Sequence, residues 1–166
     1  MTIPSQLLHS MQQYVNRPEN MAAIEQAWAE CEADLRAQAG LEMAYRAVVP
    51  RLELANAEAT FSLWVFAFAP NGESDIHKHS NSTQITCTWR GQGRLRIGEP
   101  ANAIETVLLL QSPERDPKQN WVVIPPKVFH HAQAAASGWM VVSFQTVPAQ
   151  ELQNESYLGE AQHYLR

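Results

Sequence analysis

The chain has 166 residues and a formal net charge of −5, from 12 Lys and Arg against 17 Asp and Glu. Folded domains typically contain about 100–150 residues, so this length predicts one domain with a terminal extension. Charged residues make up only 17% of the chain, which argues against a disordered protein or a coiled coil. The basic residues form no cluster, which argues against a nucleic-acid partner.

The N-terminus and the cysteines indicate the compartment in which the protein works. No positively charged stretch followed by an apolar run opens the chain, so no signal peptide is expected. No segment approaches the roughly 18 apolar residues of a membrane span. Cys31 and Cys87 lie in different predicted elements and lack the spacing of a disulfide framework or a metal motif. These features predict a cytoplasmic protein with two reduced core thiols and no membrane contact.

The first 45 residues show the apolar spacing of helices. Pro18 marks a break between two helices, since proline favours the first turn of a helix. After it, one apolar face follows helical spacing through Ile24, Ala27, Trp28, Cys31 and Leu35. Gly40 fits the residue that caps the second helix. We therefore expect residues 1–50 to form a helical extension that packs against the remaining chain.

After Pro50 the pattern changes to that of short strands. Residues 61–68 are rich in aromatic and branched side chains and predict a strand buried on both faces. Further strands are predicted, between turn signals, at residues 51–55, 84–89, 94–98, 106–110, 121–124 and 139–147. One of these turns is predicted at Gly91-Gln92-Gly93. Short strands without intervening helices predict an antiparallel sandwich or barrel over residues 51–150, followed by a weakly helical tail at residues 151–166.

Four of the six histidines occur in two groups, His77 with His79 and His130 with His131. Residues i and i+2 of a strand point to the same face, so His77 and His79 would project into one interior. Two imidazoles at this spacing can chelate one metal ion. Adjacent strand residues face opposite sides, so only one of His130 and His131 can point inward. The alternative for the whole set is a barrel whose histidines bind no metal.

The residues around these histidines resemble the two motifs of the cupin superfamily. Gly72 opens the loop before His77, and five residues fit the motifs, namely His77, His79, Gly91, Pro125 and His130. The resemblance covers residues 54–147. It implies a mainly β fold, the small jelly-roll barrel or double-stranded β-helix, with a metal ion inside and commonly a homodimeric assembly. Three departures stand out: Gln84 replaces the usual glutamate, Lys127 replaces a glycine, and the loop between Gly72 and His77 is one residue shorter.

The resemblance implies that His77, His79 and His130 hold one divalent metal ion. Gln84 would be a weak fourth ligand, or it would orient a bound water or ligand. An amide oxygen carries no charge, whereas the usual carboxylate carries −1. An ion at this site would therefore keep its full +2 charge and bind an anionic substrate directly. Fe(II) is the expected metal, with Zn, Ni or Mn as alternatives.

Cupins with three histidines and no carboxylate include the thiol dioxygenases, to which residues 75–80 are similar. In that family Fe(II) binds a thiolate substrate and oxygen side by side. Its late histidine and tyrosine would fall near Gln145 and Val147, so neither residue type is present at its place. We expect a mononuclear Fe(II)-dependent dioxygenase that acts on a small anionic or chelating molecule. The alternatives are a non-catalytic cupin that binds a metal or a small molecule, and a redox-free metal-dependent isomerase or hydrolase.

Four further residues are candidates for substrate binding. Arg94 or Arg96 could bind a substrate carboxylate, since the guanidinium fork matches a carboxylate. The alternative for each is a solvated arginine on the barrel exterior. Thr86 would point inward together with Gln84, and Trp64 could line the cavity or pack in the core. The expected partners are a small-molecule ligand and a second copy of this chain.

Overall fold

The computed structural model describes residues 3–54, 57, 59–99, 102–108, 121–157 and 161–162. Two helices come first, α1 (Ser5–Val15) and α2 (Pro18–Ala37). Within the described ranges nine strands follow, which are β1 (Met43–Glu53), β2 (Thr60–Phe68), β3 (His77–His79), β4 (Gln84–Ile97), β5 (Ile104–Leu108), β6 (Val122–Ile124), β7 (His130–Gln145), β8 (Asn154–Ser156) and β9 (Ala161–Gln162). A short 3-10 helix, Ala149–Glu151, lies between β7 and β8. The protein is mainly β with two N-terminal helices, as predicted.

The two helices form where proline and apolar spacing predict them. Pro18 is the first residue of α2, where its missing N–H removes no helical hydrogen bond. The buried face of α2 consists of Ile24, Ala27 and Cys31. Gly40 follows the helix with φ +84°, a conformation that residues with a Cβ rarely adopt. The break and the buried face therefore agree with the sequence pattern. The residue that caps α2 is Gln38, not Gly40, which lies in the turn that follows the helix.

Strand β1 begins earlier than predicted, because residues 43–50 belong to it and not to a helix. It pairs antiparallel with β2 along its length, and its register shifts on either side of Val49. Pro50 lies within the second of these shifts. Among the described residues β1 pairs only with β2, so it is an edge strand, where a proline is tolerated. The proline and the two irregularities break the period-two pattern, which explains why the sequence did not indicate a strand here.

Two long strands, β4 and β7, run through both sheets of the fold. Residues 84–91 pair with residues 139–145 in the middle of a sheet ordered β1-β2-β7-β4-β6. Residues 93–97 pair with residues 130–134 in the middle of a second sheet, ordered β9-β8-β3-β7-β4-β5. Two antiparallel sheets curled against each other in this way form a jelly-roll barrel, the double-stranded β-helix that the sequence predicts.

The bend between the sheets depends on two glycines. Gly91 and Gly138 have φ of +70° and +76°. A Cβ on Gly91 would lie 2.4 Å from the carbonyl oxygen of Gly138, so no larger residue fits there. The prediction of a turn at Gly91-Gln92-Gly93 is wrong, because these residues form a bulge within the continuous strand β4. Glycines with positive φ serve turns and bulges alike, so the sequence signal is the same for both.

The first sheet separates two apolar clusters. The outer cluster packs the helices against this sheet and includes Met11, Ile24, Ile85 and Phe144. The inner cluster lies between the two sheets and includes Trp64, Phe66, Leu95 and Trp139. Because strand residues alternate between faces, Ile85 faces the helices while its neighbours Gln84 and Thr86 face the interior. The same alternation on β7 places Ser143 and Gln145 inside the barrel.

The C-terminal segment pairs with the second sheet, so the prediction of a weakly helical tail is wrong where the structure describes that segment. Strand β8 lies antiparallel to β3, and β9 pairs with β8. Residues 158–160 and 163–166 of the predicted tail lie outside the described residues, as do residues 109–110 of one predicted strand. Within the described part of the chain, no helix has the length and apolar character that a membrane span requires.

Candidate metal centre

Three histidines from two adjacent strands meet inside the barrel. His77 lies directly opposite His130 in the pairing of β3 with β7, and His79 follows on the same face of β3. The ring centroids are 4.2 Å apart for His77 and His130, 5.1 Å for His79 and His130, and 5.2 Å for His77 and His79. One ring nitrogen from each lies within 4.8 Å of the other two, so the three residues could hold a metal ion.

Backbone carbonyls fix the tautomers of two of these rings. The Nδ1–H of His77 donates to the carbonyl of Asp75 at 2.8 Å, and that of His130 donates to the carbonyl of Val128 at 3.3 Å. A carbonyl only accepts, so Nδ1 carries the proton and Nε2 carries the lone pair in both rings. Such backbone bonds orient metal-binding imidazoles in many proteins.

His130 has a buried nitrogen that fits a metal ion. Its Nε2 has no hydrogen-bond partner within the part of the chain that the structure describes. Buried polar atoms without a partner are uncommon and costly. Neutral imidazole nitrogens are the commonest ligands of divalent transition metals. Atoms bound to one ion at about 2.0–2.2 Å lie at most about 4.4 Å apart, which is close to the 4.8 Å limit within which the three nitrogens lie.

All three histidines are neutral at physiological pH. Burial lowers the pKa of His77 and lowers the pKa of His130 well below its ordinary value. Burial, with a smaller contribution from the positive charge that His77 would carry, lowers the pKa of His79 to about 3. The neutral form is the one that binds a metal, so protons compete little for these nitrogens.

A chain of hydrogen bonds fixes the amide of Gln84. The Thr86 hydroxyl donates to the carbonyl of Val142 at 3.4 Å, and the Ser143 hydroxyl donates to Thr86 at 2.8 Å. Ser143 therefore accepts from Nε2 of Gln84, at 3.3 Å. This leaves Oε1 of Gln84 facing the histidines, 3.0 Å from Nε2 of His79.

The contact between Gln84 and His79 allows two arrangements. Without a metal, Nε2–H of His79 donates to Oε1 of Gln84. To bind a metal through Nε2, His79 would carry its proton on Nδ1, and Gln84 would offer its amide oxygen as a further donor. Both predicted roles of Gln84, fourth ligand or orienting group, are compatible with this geometry.

A narrow cavity lies beside the histidines. It is lined by Met43, Phe66, Phe68, Ser74, His77, Gln84, Thr86, Leu95, His130, Ala132, Trp139 and Val141. Its volume is about 30 Å³. None of the described lining residues carries a formal charge while the histidines are neutral, so a bound ion would supply the positive charge of the site.

The two arginines predicted to bind substrate do not line this cavity. The side chains of Arg94 and Arg96 are 62% and 57% exposed, and both pair with Glu105 on the barrel exterior. Leu95 between them lines the cavity, so the alternation of β4 turns both arginines outward. This corrects their assignment as substrate-binding residues and supports the alternative of solvated exterior arginines.

The alternation of side chains along the strands determines which of the remaining predicted residues lie inside the barrel. Thr86 lines the cavity, as predicted. Trp64 is buried in the inner cluster, where its Nε1–H donates to Ser62 at 2.9 Å, but it does not line the cavity. His131 points away from the centre, with its Nε2 3.4 Å from a carboxylate oxygen of Glu73. His130 is thus the inward member of its pair, as predicted.

Two contributors to the site are absent from the sequence predictions. Ser143 holds the amide of Gln84, and Met43 lines the cavity from the unpredicted first part of β1. Alternation along residues 139–147 would have placed Ser143 on the inner face. No local signal identifies Met43, because its position depends on the irregular pairing of β1.

The sequence matches no protein-family model and no curated protein. Solved structures similar to it include the coconut allergen cocosin, with a TM-score of 0.49 and 15% identity over 58% of this chain and 23% of that chain. An oxalate decarboxylase from Lactobacillus farciminis, in a formate complex, has a TM-score of 0.48 and 15% identity over 58% of this chain and 26% of that chain. Vicilin from Capsicum annuum has a TM-score of 0.49 and 14% identity over 58% of this chain and 26% of that chain.

The chain spans about a quarter of the length of these structures. At such low identity the likeness concerns the fold alone. The assignment of a jelly roll rests on the strand order, and the resemblance to the cupins rests on the histidine motifs. The similarity to the thiol dioxygenases rests on the sequence motif alone.

Proposed function

We propose that this chain is a metal-binding cupin and that, with Fe(II), it acts as a mononuclear dioxygenase of the thiol-dioxygenase-like type. Its substrate would be a small anionic or chelating molecule. One observation supports the proposal above all: a ring nitrogen from each of three buried histidines lies within 4.8 Å of the other two. Zn, Ni or Mn would fit the same donors.

His77, His79 and His130 would hold the ion as neutral donors. Bound Fe(II) supplies open coordination positions for substrate and O2 and the redox chemistry that joins them. The carbonyls of Asp75 and Val128 orient two of the imidazoles, as described above. Phe66, Phe68 and Trp139 line the cavity with apolar surface that limits the access of water.

The preference for an anionic or chelating ligand follows from charge. Three imidazoles and an amide leave the +2 charge of the ion uncompensated, and the described cavity lining adds no charged group. In a buried site of low dielectric constant this charge attracts an anion strongly. The substrate would therefore be held through the ion itself, since both candidate arginines lie outside the cavity.

A non-catalytic cupin that binds a metal or a small molecule is the second candidate. The small volume of the cavity, about 30 Å³, favours it. No described lining residue other than the histidines is a titratable group that could act as a general acid or base. This second observation disfavours the redox-free isomerase or hydrolase, which needs such a group.

Metal content and oxygen uptake test the proposal together. We expect one divalent ion per chain in the wild type, and loss of that ion in His77→Ala and His130→Ala. His131→Ala is the matched control, since this neighbouring histidine faces outward and should leave the metal in place. Full metal occupancy in His130→Ala would refute the ligand assignment.

Oxygen uptake separates the two candidate functions. Iron-loaded protein should consume O2 with at least one compound from a panel of thiols, diketones and phenolic acids. His131→Ala should retain this uptake and His130→Ala should lose it. If the iron-loaded wild type consumes no O2 across the panel, the non-catalytic candidate is favoured.

We also propose that the protein is a cytoplasmic homodimer. The exposed edge of β1 could pair with a second copy, because an edge strand presents unpaired backbone groups. Two buried cysteine thiols suit a reducing compartment. Light scattering of the purified full chain tests the assembly, and a mass of one chain would contradict it. Fractionation of the source cells tests the compartment, and recovery outside the cytoplasm would contradict it.

A further inference from the structure

A ligand on the proposed metal ion would extend into the cavity beside the histidines. His77, Gln84 and His130 line this cavity, so a bound ion would lie at its wall. Most of the other described lining residues are aliphatic or aromatic, namely Met43, Phe66, Phe68, Leu95, Ala132, Trp139 and Val141. The remaining two are Ser74 and Thr86. The ion and the rest of the cavity therefore offer a ligand very different surroundings.

The polar side chains among these residues already donate their protons elsewhere. The hydroxyl of Ser74 donates to a backbone carbonyl at 3.1 Å, and that of Thr86 donates to another at 3.4 Å. The Nε1–H of Trp139 donates to the hydroxyl of Thr88 at 2.9 Å. None of the described lining residues carries a formal charge while the histidines are neutral. The part of a ligand that leads away from the ion therefore meets an uncharged and mostly apolar wall.

The cavity comes closest to the surface at Met43 and Ala132. These two described lining residues are only partly buried, whereas the others are buried. The chain around Ser74 connects the two positions. The N–H of Ser74 donates to the carbonyl of Ala132 at 2.9 Å, and the N–H of Glu73 donates to the carboxylate of Glu42 at 3.2 Å. Met43, Ser74 and Ala132 thus lie together at the outer side of the cavity.

Met43 has the longest side chain of these three residues. Serine and alanine are short, and the Ser74 hydroxyl is held in place because it accepts the N–H of Ala132 at 3.0 Å. Met43 is the first residue of β1, lies opposite Phe68 in the pairing with β2, and packs against the inner cluster. Methionine is unbranched and fills irregular space. Its side chain therefore determines how far the cavity extends away from the histidines.

We propose that Met43 determines the ligand specificity of this site by limiting the ligand to a small anion with a short apolar tail. This inference rests on the proposed metal site. The anionic atom binds the ion, and the tail occupies the cavity up to Met43. A volume of about 30 Å³ holds only about one or two water molecules, and so a tail of about two carbon atoms. A smaller residue at position 43 would admit a longer tail.

Two thiols of different length test this role on Co(II)-loaded protein. The probes are ethanethiol and 1-butanethiol, and binding is followed by the near-ultraviolet absorption that a thiolate on Co(II) produces. In an apolar site without a length limit, two further methylenes would raise the affinity about tenfold. In the wild type we expect 1-butanethiol to bind no more tightly than ethanethiol. In Met43→Ala, 1-butanethiol should bind about tenfold more tightly than ethanethiol, while Co(II) affinity stays unchanged.

Met21→Ala is the matched control, because Met21 lies on α2, is 41% exposed and does not line the cavity. It should keep the wild-type ratio of the two affinities. A wild type that prefers 1-butanethiol about tenfold, or an unchanged ratio in Met43→Ala, would overturn the role of Met43. Co(II)-loaded wild type that binds neither thiol would overturn it too. A wild type that binds no Co(II) would instead contradict the proposed function. If Met43→Ala fails to fold, Met43→Val should shift the ratio in the same direction, since a branched residue suits a strand.

Discussion

His77 and His130 face each other across the antiparallel pair of β3 and β7, with their ring centroids 4.2 Å apart. This register explains how two motifs that are distant in sequence form one centre. A shift of β7 by one residue would turn His130 outward and bring His131 in. The register thus determines which histidine can bind a metal, and the pairing of β4 with β7 from residue 130 to residue 145 maintains it.

The stability of the metal-free protein should fall as pH falls below about 6.5. Burial lowers the pKa of all three centre histidines, to about 3 for His79, whereas the unfolded chain has the ordinary value of 6.5. Below 6.5 the unfolded state binds protons that the folded state does not. The free energy of unfolding therefore decreases by up to about 1.4 kcal/mol per pH unit for each histidine.

Urea denaturation of metal-free protein between pH 7.5 and 4.5 measures this slope. His79→Gln removes one titrating group and should flatten the slope by up to one proton. His131→Gln is the control, because that side chain lies outside the buried centre. An identical slope in the wild type and His79→Gln would show that His79 is not buried as a neutral group.

Gln84→Glu should strengthen metal binding and weaken anion binding. The carboxylate would face the ion from the position of the amide oxygen, 3.0 Å from Nε2 of His79. We expect Zn(II) affinity to rise by about tenfold or more, and azide affinity of the Co(II) form to fall by a similar factor. Titration calorimetry and absorption spectroscopy measure the two affinities. Gln84→Met is the uncharged control and should not raise Zn(II) affinity. Equal affinities in the wild type and both variants would show that the side chain at position 84 does not interact with the ion.

Replacing both exterior arginines should leave the site unaffected. Arg94 and Arg96 pair with Glu105 at the surface, where such ion pairs contribute at most about 1 kcal/mol. The double variant Arg94→Ala, Arg96→Ala should change the free energy of unfolding by less than about 1 kcal/mol. Metal and azide affinities should equal those of the wild type. A large loss of azide affinity would show that one or both arginines contribute to anion binding at the site.

Gly91→Ala should lower the free energy of unfolding by more than the backbone strain of a positive φ alone would lower it. Its φ is +70°, and a Cβ there would lie 2.4 Å from the carbonyl oxygen of Gly138. Gly40 is the matched control, since it has φ +84° but no atom within 4 Å of an added Cβ. Gly40→Ala should cost about 1–3 kcal/mol, and Gly91→Ala clearly more. Equal losses in thermal or urea unfolding would show that the bend does not need this close approach.

Regular patterns in the sequence predicted much of the fold. Helical spacing predicted the buried face of α2, and aromatic and branched residues predicted the doubly buried strand β2. Alternation predicted that His77 and His79 share a face and that one histidine of the second pair turns away. In each case the spacing of residues along a short segment determines which side chains face the interior. The sequence of that segment is therefore sufficient for the prediction.

The errors occur where long-range pairing decides the local structure. The positive-φ glycine Gly91 indicated a chain reversal, but β7 pairs along both sides of it and makes it a bulge. Strand β1 and the C-terminal strands form because they hydrogen-bond to the edges of other strands. No local sequence pattern shows this pairing. The arginines were assigned by charge, although Leu95 between Arg94 and Arg96 indicated by alternation that both face outward.

The most direct test is a crystal structure of the full chain grown with Zn(II), with X-ray data collected on both sides of the zinc absorption edge. We predict one anomalous peak per chain between the rings of His77, His79 and His130, within about 2.0–2.2 Å of one nitrogen of each. The peak should be absent in His130→Ala and present in His131→Ala. No peak between these rings in zinc-saturated wild-type crystals, or a peak bound only by surface residues, would contradict the metal centre.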